Sequence, residues 1–227
     1  MSANKRKLVI AIDGPAGAGK STLASRLARK LGYVNIESGA MYRALALKAI
    51  EEDISFDDEP ALLDLAQSSK IELQPRIDGN RVLLDTLDVS DRIRHADVTQ
   101  AASRVSVHPK VREWMVARQQ EMGASGGVVM EGRDIGTKVF PNAEVKIFLD
   151  AAPEVRGERR FRQKPGAAPP QAVIDELRER DHRDRTRAAS PLEPAADAVI
   201  IDSTKMDIDQ VIEQAERIIA ERNGFQH

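Results

Sequence analysis

The sequence predicts an α/β fold, a parallel sheet flanked by helices, and three features point to it. Short, continuously apolar runs recur at Leu8 to Asp13, at Val128 to Met130, at VKIFLDA from Val145 and at AVIIDS from Ala198. Runs of that kind suit strands covered on both faces. Segments with helical spacing lie between and after them, and strands that alternate with helices build a parallel sheet. The first apolar run also passes through a glycine-rich stretch straight into a helix.

Taken in order, Leu8 to Asp13 is the first strand, and Ser21 to Leu31 the first helix, with Leu23, Leu27 and Leu31 along one side and Gly32 as its stop. Further helices are predicted at Gly39 to Asp53, Ala101 to Met122, Pro153 to Gln163, Gln171 to Arg187 and Ile208 to Asn223, and Pro109 marks the first turn of a new helix. Lys70 to Asp85 breaks the pattern: it reads as two short strands around a turn at Asp78, Gly79 and Asn80. That hairpin is either a surface decoration or part of a substrate-side subdomain. QKPGAAPPQ, residues 163 to 171, separates two charged helices with three prolines and a glycine. It serves as a plain linker or as the hinge of a closing lid.

Composition narrows the function classes. With 227 residues, 41% of them hydrophobic, the chain can bury one sizeable core. The absence of cysteine excludes disulfides and thiolate metal sites and fits a reducing, cytoplasmic setting. The basic start is followed by an apolar run too short for a signal peptide or a membrane span, so a soluble protein with no membrane partner is expected. A net charge of -2 and scattered aromatics argue against a nucleic-acid binder. Positive charge is instead local, in RERDHRDRTR at 178 to 187, which suits a small anion held at one point. His95, His108, His182 and His227 lack ligand-like spacing and read as surface residues.

GPAGAGKS, Gly14 to Ser21, fits the phosphate-loop pattern G-x-x-x-x-G-K-[ST] in its proper context, after a buried strand and ahead of a helix. Glycine lets successive N–H groups point at phosphate oxygens. Gly14, Pro15, Ala16, Gly17, Ala18, Gly19, Lys20, Ser21 and Thr22 are therefore the expected set for binding a nucleoside triphosphate. Lys20 would reach the β- and γ-phosphates, the Ser21 hydroxyl would ligate Mg²⁺, and the helix adds its positive N-terminal end. Asp13 and Asp150, each at a strand end, are candidates to orient that ion through water; for Asp150 a helix cap before Pro153 is favoured. A guanine-reading N-K-x-D is missing, since the one Asn-Lys pair, Asn4-Lys5, continues into Arg6 and Lys7.

A small-molecule kinase needs a second pocket with arginines for an anionic acceptor. VVMEGRDIGT places Glu131, Arg133 and Asp134 where a buried strand surfaces, a cluster suited to reading a small polar molecule. ESGAMYRALAL supplies Ser38 as a helix cap and Arg43 one turn on, while AASRVSVHPKVRE supplies Ser103 and Arg112. Arg180, Asp184 and Arg187 share one helical face. Intrahelical ion pairs would explain that face too, but five arginines in ten residues beside a phosphate loop favour an anion.

Together, GPAGAGKST, SGAMYR, AASRVSVHPKVR, EGRDIGT, VKIFLDA, RDHRDRTR and SPLEPAADAVIIDST resemble the bacterial cytidylate kinases, in this order and over nearly the whole chain. The resemblance implies a P-loop kinase core (about 1–37, 96–152 and 190–227), a monophosphate-binding insert with the hairpin (about 38–95) and an arginine-rich helical lid (about 153–189). It implies transfer of the γ-phosphoryl of ATP to CMP or dCMP, giving the diphosphate and ADP, by a monomer. Asp134 would face the cytosine with Ser103 and Arg112, Arg133 and Arg43 would hold the monophosphate with Ser38 nearby, Arg180 and Asp184 would meet the ribose, and Arg187 the phosphates. Lys20, Arg133 and Arg187 become the catalytic set. Glu131 stands where the family often has aspartate, its carboxylate displaced by one methylene. The alternatives to test are a kinase for UMP or another small acceptor, and an ATP-binding regulatory module.

Overall fold

The computed structural model describes residues 7–76, 79–163 and 170–224. The strand β1 (Val9–Asp13) runs down the middle of a parallel sheet. It pairs on one side with β6 (Val128–Gly132), from Val9 against Val128 to Asp13 against Gly132. On its other side it pairs with β7 (Val145–Asp150), Ile10 against Val145. Outside these lie β2 (Val34–Glu37) and β8 (Val199–Asp202), so the order is β2-β6-β1-β7-β8. Side chains alternate across such a sheet. Ile10 and Ile12 accordingly pack with Leu23 and Leu27 of α1 (Lys20–Leu31) and with Val211 and Ala215 of α8 (Ile208–Gly224), while Ala11 turns to the other face with Ile36 and Met130. Gly32, at φ 67°, ends α1 by donating its N–H to the Ala28 and Arg29 carbonyls.

Between β2 and β6 the chain builds a second cluster. Its members are α2 (Ser38–Glu51), α3 (Glu59–Ser68), the antiparallel strands β3 (Ile71–Arg76), β4 (Gly79–Leu84) and β5 (Leu87–Asp88), a 3₁₀ turn at Arg92–Arg94, α4 (Ala96–Val105) and α5 (Pro109–Gly123). One apolar cluster joins them, from Ala40 and Leu45 through Leu62, Val82 and Ile93 to Val98, Val111 and Met115. Residues from 96 to 115, expected in the core, thus share the cluster of α2. After β7, α6 (Pro153–Gln163) packs on α7 (Pro170–Thr186), and Val173 and Leu177 of α7 meet Ala16 of the phosphate loop.

Several expectations are corrected. The helix expected over Ala101 to Met122 is two helices, because Pro109 takes the first turn of α5 and leaves His108 extended at ψ 120°. Ser38 is not a cap: the cap position is Glu37, and the Ser38 hydroxyl donates to the Glu131 carbonyl at 2.8 Å. Asp150 does not cap α6 either, since its carboxylate accepts from Ala151 N–H at 2.8 Å while the Ala152 carbonyl accepts the first helical bond from Arg156. Gly79 and Asn80 belong to β4 rather than to a turn, and residues 77–78 lie outside the described residues, as do 164–169 of the expected hinge. His108 is half-buried, its Nε2 2.7 Å from the Phe56 carbonyl.

Candidate functional site

A cleft of about 920 Å³ opens at the carboxyl ends of β1, β2 and β6, where open parallel sheets hold ligands. The loop after β1 forms its floor. At Gly14, φ is 147°, and a Cβ would lie 2.0 Å from the Leu149 carbonyl oxygen, so the loop can enter under β7 only as glycine. Ala16 through Thr22 line the cleft, whereas Gly14 and Pro15 lie behind it. Lys20 Nζ donates to the Pro15 carbonyl at 2.7 Å, and Ser21 Oγ donates to Glu131 Oε1 at 2.8 Å. Burial, with Arg133 nearby, lowers the Lys20 pKa to about 7 against the opposing pull of Glu131.

Asp13, at the end of β1, accepts from Ile135 N–H at 2.8 Å and Gly136 N–H at 2.7 Å. These are the first residues of a π-helical turn, Ile135–Val139, directly after Arg133 and Asp134. Its carboxylate therefore organises the loop after β6, and burial raises its pKa to about 7. At Gly132 an added Cβ would fall 2.5 Å from Ser38 Oγ and 2.7 Å from Ile135 Cδ1. The protein's own side chains thus occupy the space that a side chain at Gly132 would need.

Ser38, Arg43, Ser103, Arg112, Arg133, Asp134, Arg180, Asp184 and Arg187 all line this one cleft with Lys20 and Ser21. Arginines and carboxylates are matched around it. Arg43 Nη2 pairs with Glu37, Arg112 Nη2 with Asp134, and Arg133 Nε with Asp184 Oδ2 at 2.9 Å. Arg187 Nη1 lies 3.7 Å from the other Asp184 oxygen, and its Nε donates to the Ser190 carbonyl at 2.7 Å. Burial alone would raise the Asp184 carboxyl, but Arg133, Arg180 and Arg187 hold it below the ordinary aspartate range. Arg180, facing Arg133, has its pKa lowered to about 10 by burial and by that like charge.

The Arg112 guanidinium is fixed on three sides, by Asp134, by the Ser106 carbonyl at 2.9 Å and by the Tyr42 ring, whose centroid is 5.5 Å from Cζ. Five buried polar atoms along the cleft have no hydrogen-bond partner: Ser103 Oγ, Nε of Arg43, Arg112 and Arg180, and Arg187 Nη2. Buried polar groups are mostly paired, and this cleft holds five of the eleven such unpartnered side-chain atoms among the described residues.

Sequence reasoning missed the residues that brace the site. Arg156, its side chain 3% exposed, donates to the Ala151 carbonyl at 2.7 Å and the Ala16 carbonyl at 2.9 Å and pairs with Asp181 of α7 at 2.6 Å. Arg159 reaches the Ser203 carbonyl at 2.7 Å and Ser203 Oγ at 3.0 Å. An amphipathic α6 rich in arginine gives no sign of which carbonyls those arginines hold. Glu37 was missed as well: it stands beside SGAMYR in the sequence, but the strand that it ends was not predicted.

Comparison with known proteins gives the family. A family model described as cytidylate kinase matches residues 10–221. The cytidylate kinase of Geobacillus kaustophilus (strain HTA426) is 49% identical, covering 97% of this chain and 100% of its own length. That of Ligilactobacillus salivarius (strain UCC118) is 48% identical over 96% of this chain and 99% of its own. Among solved structures, an uncharacterized protein from Eubacterium ventriosum ATCC 27560 superposes with a TM-score of 0.51 at 12% identity, over 95% of this chain and 99% of that one, a likeness of fold. A phosphate loop facing an arginine-rich pocket with a buried Arg112–Asp134 pair, in a sequence half identical to those relatives along its length, has one account: the chain belongs to the cytidylate kinase family.

Proposed function

We propose that this cleft moves the γ-phosphoryl group of ATP to CMP or dCMP by direct in-line transfer, with no covalent intermediate on the protein. The observation that carries the reading is the buried Arg112–Asp134 pair with Ser103 Oγ and Arg112 Nε left unpaired beside it. Cytosine presents an N4 amino donor next to its N3 and O2 acceptors, so a carboxylate and an arginine on that edge complement it. Uracil would turn O4 toward Asp134, oxygen against carboxylate. A site built around such polar contacts rejects the analogue that cannot make them.

Lys20 and Arg187 face the transferring phosphoryl group, and Arg133 with Arg43 takes the monophosphate. Arg180 and Asp184 meet the ribose, with Ser38 closing the pocket beside Arg43. Because Arg43, Arg112, Arg133 and Arg187 already lie against carboxylates, they are oriented before the substrate arrives and little reorganisation remains for the reaction step. A monophosphate oxygen is ionised near neutrality, so the acceptor needs no general base.

Among the described residues no group of His, Cys, Asp and Glu could hold a metal ion on its own. The Ser21 hydroxyl and the Glu131 carboxylate, already bonded to each other, are nonetheless the hard oxygen donors that Mg²⁺ prefers once nucleotide oxygens complete the set. Mg²⁺ held there would neutralise charge on the β- and γ-phosphates. We assign core, insert and lid to the segments that the family resemblance implies, except that residues 96–115 go with the insert whose apolar cluster they share, and lid closure excludes water. Among the described residues no helix is long and apolar enough to cross a membrane. A cytoplasmic monomer is part of this proposal.

The test is ADP release from ATP and Mg²⁺ with CMP, dCMP, UMP, AMP and GMP offered separately at equal concentration. Turnover with the cytidine nucleotides is expected, and Asp134→Asn should narrow the preference for CMP over UMP. Equal turnover with UMP, or an unchanged ratio in the variant, would remove the base-reading role.

A further inference from the structure

We propose that Asn80 is a positioning residue for the acceptor phosphate: its side-chain amide fastens the hairpin to the open edge of β2 and thereby fixes the Glu37–Arg43 pair. The inference rests on the reading of Arg43 as a monophosphate ligand.

β2 is an edge strand, paired with β6 on one side only. Residues two apart in a strand present their backbone groups along the same edge. The Asn35 carbonyl and the Glu37 N–H are therefore the acceptor and donor that a further strand would take up. Asn80 takes both. Its Oδ1 accepts from Glu37 N–H at 3.0 Å, and its Nδ2 donates to the Asn35 carbonyl at 2.8 Å. A carboxamide carries the same acceptor and donor as a peptide group, so one side chain stands in for a neighbouring strand.

A role in the turn does not account for this asparagine. Asn80 lies within β4, opposite Pro75, and is 6% exposed. Its side chain points away from the hairpin's own ladder and into the core sheet's edge.

The carboxyl end of β2 gives the contact its meaning. Glu37 is the last residue of that strand, and its carboxylate pairs with Arg43 Nη2, both side chains less than a fifth exposed. Arg43 Nε is buried with no partner, so the guanidinium depends on where Glu37 stands. Asn80 holds the Glu37 backbone, Glu37 holds Arg43, and Arg43 meets the phosphate. A hairpin that the sequence leaves open as surface decoration or part of a substrate-side subdomain is in this way part of the acceptor site.

The test is steady-state kinetics on the full chain for Asn80→Ala, Asn80→Asp, Arg43→Ala and the double variant Asn80→Ala with Arg43→Ala, with folding checked by circular dichroism. Asn80→Asp keeps an acceptor for Glu37 N–H but sets an oxygen against the Asn35 carbonyl. We expect KM for CMP to rise by about tenfold in either Asn80 variant, the scale of one lost buried hydrogen bond, while KM for ATP and kcat move by no more than about twofold. In the Arg43→Ala background the Asn80 substitution should add nothing further. Should Asn80→Ala fail to fold, Asn80→Asp decides. An unchanged KM for CMP, equal rises for CMP and ATP, or effects additive with Arg43→Ala would each overturn the inference. If Arg43→Ala itself leaves KM for CMP unchanged, the reading of Arg43 falls first and this inference with it; a response there and none at Asn80 sinks the inference alone.

Discussion

Lys20 is the residue whose protonation ATP binding should change. Burial among arginines brings its pKa to about 7, so near pH 8 much of the population is neutral. Phosphate oxygens favour the charged form and raise the pKa again. ATP binding at that pH should therefore take up close to one proton, measurable by titration calorimetry in buffers of different ionisation enthalpy. Lys20→Met should abolish the uptake, and uptake that survives the substitution would place the proton elsewhere. Arg133 tests the chemical step. Removing a donor aimed at developing charge costs about 10² to 10³ in turnover, so Arg133→Ala should lose kcat on that scale while ATP affinity changes little. Undiminished turnover would exclude Arg133 from the transfer.

Helices α6 and α7 meet at Gly157, where an added Cβ would lie 2.4 Å from Ile174 Cγ1. That atom is close to the backbone, so Gly157→Ala must push the helices apart, at a cost of about 1–3 kcal/mol. Arg156, the neighbouring residue, would lose its grip on Asp181 and the Ala16 carbonyl. A lower melting temperature together with reduced kcat is expected; a loss of stability with kcat intact would show that the helix pair does not serve the phosphate loop. At this scale the sequence was legible where periodicity was strong. β1, α1, β7 and α8 are evident from apolar runs and spacing. Asp58 accepting from Ala61 N–H, with Pro60 behind it, starts α3 by a standard cap, but the apolar stretch after it is too short for its spacing to announce a helix. VNIE of β2 alternates apolar and polar residues, but over only four positions, too few to announce a strand, and it is held as one by β6 and by Asn80. The motif residues EGRD, SGAMYR and RDHRDRTR were readable because charge beside glycine or buried strand is unusual. Arg156, Arg159 and Asn80 were not, because their partners are backbone atoms that only folding brings near.

Over the whole molecule a net charge of -2 coexists with a cleft where Arg43, Arg133, Arg180 and Arg187 converge. Attraction of anionic substrates into that cleft is screened by salt. Raising ionic strength from about 0.05 to 0.5 M should cut kcat/KM for CMP by roughly threefold or more. A flat response would mean that the resting carboxylates cancel the field at the entrance. The place of β1 at the centre of the sheet has a further consequence, during synthesis. Its partner β6 lies roughly 120 residues downstream, and a ribosome adding about 5–20 residues per second needs ~6–24 seconds to reach it. Through that interval VIAID has emerged with both hydrogen-bonding edges unpaired, an apolar strand open to other chains. Nascent protein arrested between β2 and β6 is thus the form most prone to aggregate, and the one a chaperone would meet.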